Sequence, residues 1–189
     1  EAADTVINDG GTTTSQQDLS SNEDTLTISN ESTLTRANTP VNVTANEVSV
    51  TVNSGSTIIT SSGDKAIYAN DVEDLTVTNS GTLDAARGKT VDIKGTTNAT
   101  IINNTGGVIS ALKNTIAISG TGSNSTTGYN ISNSGTIYAS NGTNSAIFTS
   151  NTNSSGDITN NSGGEIYSLG TQATIKLGAN STITNSGSI

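Results

Sequence analysis

Two stretches decide the fold: Leu75-Thr-Val-Thr-Asn-Ser-Gly-Thr-Leu-Asp-Ala85 and Tyr129-Asn-Ile-Ser-Asn-Ser-Gly-Thr-Ile-Tyr-Ala-Ser140. In the first, Leu75 and Val77 share one face, Leu83 and Ala85 share another, and threonines fill the alternate positions. Period-two alternation marks half-buried strands. The Asn-Ser-Gly between them supplies a turn, because Asn and Gly tolerate positive φ. Outward from these stretches the tripeptide, or a close variant, recurs at Asn30, Asn53, Asn79, Asn104, Asn133, Asn161 and Asn185, with spacings of 23, 26, 25, 29, 28 and 24 residues. Apolar residues bracket each turn: Ile28 and Leu34, Val52 and Ile58, Val77 and Leu83, Ile102 and Val108, Ile131 and Ile137, Ile158 and Ile166, Ile183 and Ile189. A third apolar site follows at Ile67, Val91 with Ile93, Ile116 with Ile118, Ile147, and Ile175 with Leu177.

Three short strands and three corners in roughly 26 residues make one triangular coil, and a single coil cannot bury its own inner face. Coils therefore stack, each strand pairing in parallel with its equivalents above and below. The pattern predicts an all-β fold: a right-handed parallel β-helix (β-solenoid) of about seven coils with three short strands per coil. At about 4.8 Å per coil this is a rod on the order of 30–35 Å long. Ile28, Val52, Val77, Ile102, Ile131 and Ile183 are expected as one inward stack. Counted from the preceding apolar residue, Asn30, Asn79, Asn104, Asn133, Asn160 and Asn185 share a station, with Ser54 the exception, and are expected to form a ladder of side-chain amides. Their frequent Asn-x-Ser/Thr context matches a glycosylation acceptor, but 61 Ser and Thr among 189 residues make such matches commonplace.

The composition agrees. Thr (34), Ser (27) and Asn (24) dominate, and Ile plus Val outnumber Leu 29 to 8, which favours strand over helix. One proline and a net charge of −9 argue against a solvated disordered chain. The absence of Cys, Met, His and Trp removes disulfides, zinc fingers, and Cys- or His-based catalysis. No apolar run reaches the ~18–20 residues of a membrane helix. The start at Glu1 reads as the product of signal-peptide removal.

Residues 1–24 lack the full repeat and are expected to form a degenerate N-terminal capping coil; residues 25–189 hold the repeats and end on a strand station, which reads as truncation from a longer array. Residues 1–94 contain 14 acidic and 5 basic residues, residues 95–189 two of each. This acidity speaks against nucleic acid or an anionic membrane surface as partner. Asp71, Glu73 and Asp74 form the densest acidic run but lack calcium-loop spacing, so a solvated corner is the simpler reading and no metal site is assigned.

Catalysis by a polysaccharide hydrolase needs converging carboxylates. In the expected register Asp84 neighbours Ile59 and Ile109, and Asp92 neighbours Ala117, so no catalytic residue is assigned. Arg87, Lys89, Asp92 and Lys94 cluster on one coil as surface ion pairs. Flat Thr-x-Thr arrays, the mark of an ice-binding solenoid, are not maintained from coil to coil.

The opening Thr5-Val-Ile-Asn-Asp-Gly-Gly-Thr-Thr-Thr and the units from Leu75 and Tyr129 resemble passenger domains of Gram-negative autotransporters, the type V secreted proteins. The resemblance implies export, a C-terminal translocator barrel missing from this chain as the only link to the membrane, and a β-helical stalk or adhesin displayed on the cell surface. It implies no enzyme and no cofactor, since no catalytic motif of the family is present. A β-helical polysaccharide-active enzyme or a phage-tailspike-like receptor-binding rod is the alternative. Expected partners are other copies of the chain, lateral or end to end, a host or neighbouring-cell surface, or polysaccharide. A contact face is expected where Thr35, Ile59, Asp84, Ile109, Tyr138 and Tyr167 follow the second-strand apolar site, with Ile109, Tyr138 and Tyr167 as an exposed stripe.

Overall fold

The computed structural model describes residues 1–63, 65–120 and 124–189. Among them every regular element is a strand, and the strands form three all-parallel sheets. The first sheet stacks Asp4–Ile7, Thr25–Ile28, Ser49–Val52, Thr76–Asn79, Thr100–Asn103, Thr127–Asn133, Ser155–Asn160 and Thr182–Asn185. The second stacks Thr12–Thr13, Thr33–Arg36, Thr57–Thr60, Thr82–Ala85, Val108–Ala111, Thr136–Ala139 and Glu165–Ser168. The third stacks Gln17–Leu19, Val41–Val43, Lys65–Asn70, Lys89–Lys94, Ile116–Ser119, Ile147–Thr149 and Ile175–Lys176. The chain visits the sheets in rotation and advances one coil per circuit: it is a β-solenoid of about seven coils.

One apolar column from each sheet fills the interior. In the first sheet Leu26, Val50, Val77, Ile101, Ile131, Ile158 and Ile183 are in register. The second contributes Leu34, Ile58, Leu83, Ile109, Ile137 and Ile166. The third contributes Val41, Ile67, Val91, Ile116, Ile147 and Ile175. All except those of the last coil are buried, each stabilising the rod by about 1.5–3 kcal/mol.

The inward stack expected from sequence is corrected at three places. Ile28 and Val52 are buried one alternation beyond Leu26 and Val50, so they belong to a neighbouring column. Ile102 points outward and Ile101 takes the core position. Two adjacent isoleucines give period-two reading no preference, and a slip of one residue exchanges the faces.

Residues 1–24 carry one strand for each sheet, all paired with the coil above. The start of the chain is tied down by Asp24, which is 4% exposed. The Ala3 N–H donates to its Oδ1 at 2.8 Å and the Ser21 N–H to its Oδ2 at 2.9 Å. The backbone donor of Ser21, then that of Ala3, stabilise the carboxylate and hold its pKa below the ordinary 3.8. A depressed carboxyl pKa contributes stability that is complete above the unfolded value and disappears as pH falls through the folded one. Melting temperatures measured from pH 6 down to below pH 3.8 should therefore fall more steeply for the native chain than for Asp24→Asn. Parallel slopes would show that this carboxylate does not clamp the first coil.

Candidate functional site

Four features of the rod are candidates for chemistry or contact. The first is the corner between the first and second sheets. Asn79, Asn103, Asn133, Asn160 and Asn185 are in register at the end of the first sheet. Each Nδ2 donates to the Oδ1 of the next amide, at 2.9, 2.8, 2.8 and 2.9 Å along the series. The same Nδ2 groups also reach main-chain carbonyls, as Asn133 does at Gly135 and Glu165, both 3.1 Å away. Asn79, Asn103, Asn133 and Asn160 are essentially buried.

Two residues assigned to this ladder from sequence lie outside it. Asn104 sits one residue past the ladder position held by Asn103, and its Nδ2 donates to Ser80 Oγ at 2.9 Å. Asn30 lies in a left-handed turn with φ 55° and donates to the Asn8 carbonyl at 2.9 Å. The station below Asn79 is occupied by Val52 and then Ile28, so the lower coils carry an apolar extension of the column. Both were counted from the wrong apolar residue, Asn104 from Ile102 and Asn30 from Ile28, where Ile101 and Leu26 hold the core column. Tight corners run Asn79-Ser-Gly-Thr82 and Asn133-Ser-Gly-Thr136, whereas Asn103-Asn-Thr-Gly-Gly-Val108 and Asn160-Asn-Ser-Gly-Gly-Glu165 have two more residues. Long and tight corners alternate from Asn79 upward. The outer asparagine of each long corner bonds to the serine of the tight one beneath, Asn104 to Ser80 and Asn161 to Ser134, both at 2.9 Å.

Every ladder asparagine has a glycine just ahead of the following strand: Gly81, Gly107, Gly135, Gly164 and Gly187. A Cβ at Gly135 would lie 2.2 Å from the Gly107 carbonyl oxygen and 2.5 Å from that of Asn104. The amide ladder thus requires backbone packing that admits no side chain. In the coils with Ile28 and Val52 the same place is held by Ser32 and Ser56.

The second candidate is the outer side of the second sheet. The register aligns Thr35, Ile59, Asp84, Ser110, Tyr138 and Tyr167. Ile109 is therefore not part of the stripe: it pairs with Leu83 and Ile137 and is fully buried. The two extra residues of the 103–108 corner shift the count and give the outward-facing position to Ser110, which is itself covered and donates to Asp84 Oδ1. The remaining rings, Tyr138 and Tyr167, are half-buried and stacked, with centroids 5.2 Å apart and planes 9° from parallel. Burial, then Tyr138 and Glu165, push the Tyr167 phenol above its ordinary 10.0.

The third candidate is the outer side of the third sheet, where sequence reading grouped Arg87, Lys89, Asp92 and Lys94. Asp92 is 3% exposed although it points away from the core. Its Oδ2 lies 3.1 Å from Lys89 Nζ and 3.9 Å from Lys65 Nζ. Tyr68 is in register with Asp92, and Lys65 Nζ sits 4.2 Å from its ring centroid. Burial raises the Tyr68 phenol pKa above 10.0, helped by Asp92 and Asp71. Arg87 is exposed at the preceding corner. Lys65 and Tyr68 belong to the previous repeat, and only the register brings them to Asp92.

The fourth candidate is the acidic corner. Asp71 and Asp74 both adopt left-handed backbone, φ 56°. Asp71 accepts from Asn124 and, at 2.8 Å, from Asn70; Asp74 accepts from Asn98 at 3.2 Å. These carboxylates are occupied by amides of their own and neighbouring coils. Among the described residues no group of three or more His, Cys, Asp or Glu could hold a metal ion, and no pocket indents the surface.

No protein-family model, curated protein or solved structure matches the chain.

Asp84 and Asp92 lie on different sheets. In register with Asp84 are Ile59 and Ser110, and in register with Asp92 are Tyr68 and Ala117. What the rod offers instead is three extended, mostly polar sides, two of which bear aligned aromatic rings.

Proposed function

We propose that the chain is a non-enzymatic surface stalk or adhesin segment of the kind that autotransporter passengers form. The observation that carries this reading is the continuous parallel pairing of the first sheet, which runs through eight strands from Asp4–Ile7 to Thr182–Asn185 with a single local register shift between Thr127 and Tyr129. Parallel stacking of this kind converts chain length into reach, at about 4.8 Å per coil. Outward positions vary from coil to coil while inward ones stay apolar, as expected of a scaffold whose surface is free to diverge. In this reading lateral contact between rods falls on the second sheet at Tyr138 and Tyr167. Antibody raised against the purified chain should label intact cells that make it; labelling only after permeabilisation would refute surface display.

A further inference from the structure

The outer side of the third sheet brings positive charge and aromatic rings together. On a chain of net charge −9, it gathers the ammonium groups of Lys65, Lys89, Lys94 and Lys176. The same side carries two of the chain's five aromatic rings, Tyr68 and Phe148. The register places Tyr68, Asp92, Ala117, Phe148 and Lys176 in one column parallel to the rod axis. Each ring is capped by a lysine: Lys65 Nζ lies 4.2 Å from the Tyr68 centroid and Lys176 Nζ 5.1 Å from that of Phe148. Asp92 holds Lys65 and Lys89 in place, so their charge is presented from fixed positions, and its single carboxylate leaves the pair net positive.

We infer that this side binds an anionic polysaccharide laid along the rod axis. Tyr68 and Phe148 are three coil steps apart, about 14 Å, a span comparable with a run of a few pyranose rings. Between them lie Ala117 and Asp92, 1% and 3% exposed, so a ligand spanning the rings meets the lysine side chains around Asp92 and not these two residues. The rings pack against the C–H faces of sugars, while the lysines pair with carboxylate or sulfate groups spaced along the chain. A nucleic acid is a poorer fit, because it presents a phosphate at every nucleotide and is held by long basic tracks. Here four ammonium groups are bordered by Asp71, Glu73 and Asp74 at the next corner. The inference goes beyond surface display and stands without it, since binding is a property of the isolated chain.

The test is titration calorimetry of the purified chain at low salt with polygalacturonate, dextran sulfate, neutral dextran and a single-stranded oligonucleotide. Two variants accompany it: Phe148→Ser with Lys176→Gln, and Lys65→Gln with Lys89→Gln and Asp92→Asn, which removes the charges together so that no carboxylate is left unpaired. Circular dichroism and melting establish which variants fold, and either folded variant suffices. Binding of at least one anionic polysaccharide, weakened tenfold or more by a folded variant, supports the assignment. Whether polygalacturonate or dextran sulfate is preferred distinguishes carboxylate from sulfate recognition. The inference is overturned by absence of binding to both, by unchanged affinity in the folded variants, by equal binding of neutral dextran, or by tighter binding of the oligonucleotide.

Discussion

Replacing Asn133 with Ala should destabilise the rod by about 3–5 kcal/mol, because several buried groups lose their partners at about 1–3 kcal/mol each. Asn103 Nδ2 loses one of its three acceptors, Asn160 Oδ1 loses a donor, the Gly135 and Glu165 carbonyls lose the Asn133 Nδ2, and the Gly135 N–H loses the Asn133 Oδ1 that it reaches at 3.3 Å. Asn104→Ala, one residue from the ladder, removes a single half-buried bond to Ser80 and should cost less than about 1.5 kcal/mol. Urea unfolding followed by circular dichroism compares the two. Equal losses would mean that the interior amides act only as polar surface does. Asn133→Asp should be worse than Ala, since a carboxylate would face the Glu165 carbonyl and Asn160 Oδ1 with no proton to offer either.

A second pair of variants separates adjacent isoleucines. Ile101 is fully buried and stacked between Val77 and Ile131, whereas Ile102 faces outward. Ile101→Asp should cost about 4 kcal/mol or more, as an unpaired charge would enter a dry core. Ile102→Asp should change stability by roughly 1 kcal/mol or less. Thermal melts of the two chains read the difference directly. The reverse order would place the entire first sheet one residue out of register.

This pair also shows how far the sequence could be read. Period-two alternation and a repeat near 26 residues contain enough information to specify parallel coils, because only stacking buries the inner columns. They do not contain the register wherever two apolar residues are neighbours, as at Ile58-Ile59 and Ile101-Ile102. Nor do they reveal that corners differ by two residues. Counting from the preceding apolar residue therefore sent Asn104 into the ladder in place of Asn103, and gave Ile109 the outward-facing position that Ser110 holds. The ladder's lower end, with Val52 and Ile28 at the amide station, was hidden for a related reason: an apolar residue and a buried asparagine occupy the same kind of inward position. The serine-for-glycine exchange at Ser32 and Ser56 was the available clue. The column of Tyr68, Asp92 and Phe148 was illegible because its members belong to different repeats, each ordinary by itself.

The alternation of corner lengths has a consequence for how such a rod can change size. Asn104 needs Ser80 beneath it, and Asn161 needs Ser134, so a long corner is completed by a tight one. Loss or duplication of one coil would set like corners against each other and leave an outer asparagine without its hydroxyl. Removing residues 80–133 instead joins Asn79 to Ser134, restores the Asn-Ser-Gly turn, and leaves Asn161 above a serine, shortening the rod by roughly 10 Å. Within the amide ladder, growth and shrinkage are thus favoured in dyads, whereas the lower coils, whose corners after Ile7, Ile28 and Val52 are all of the longer kind, carry no such constraint.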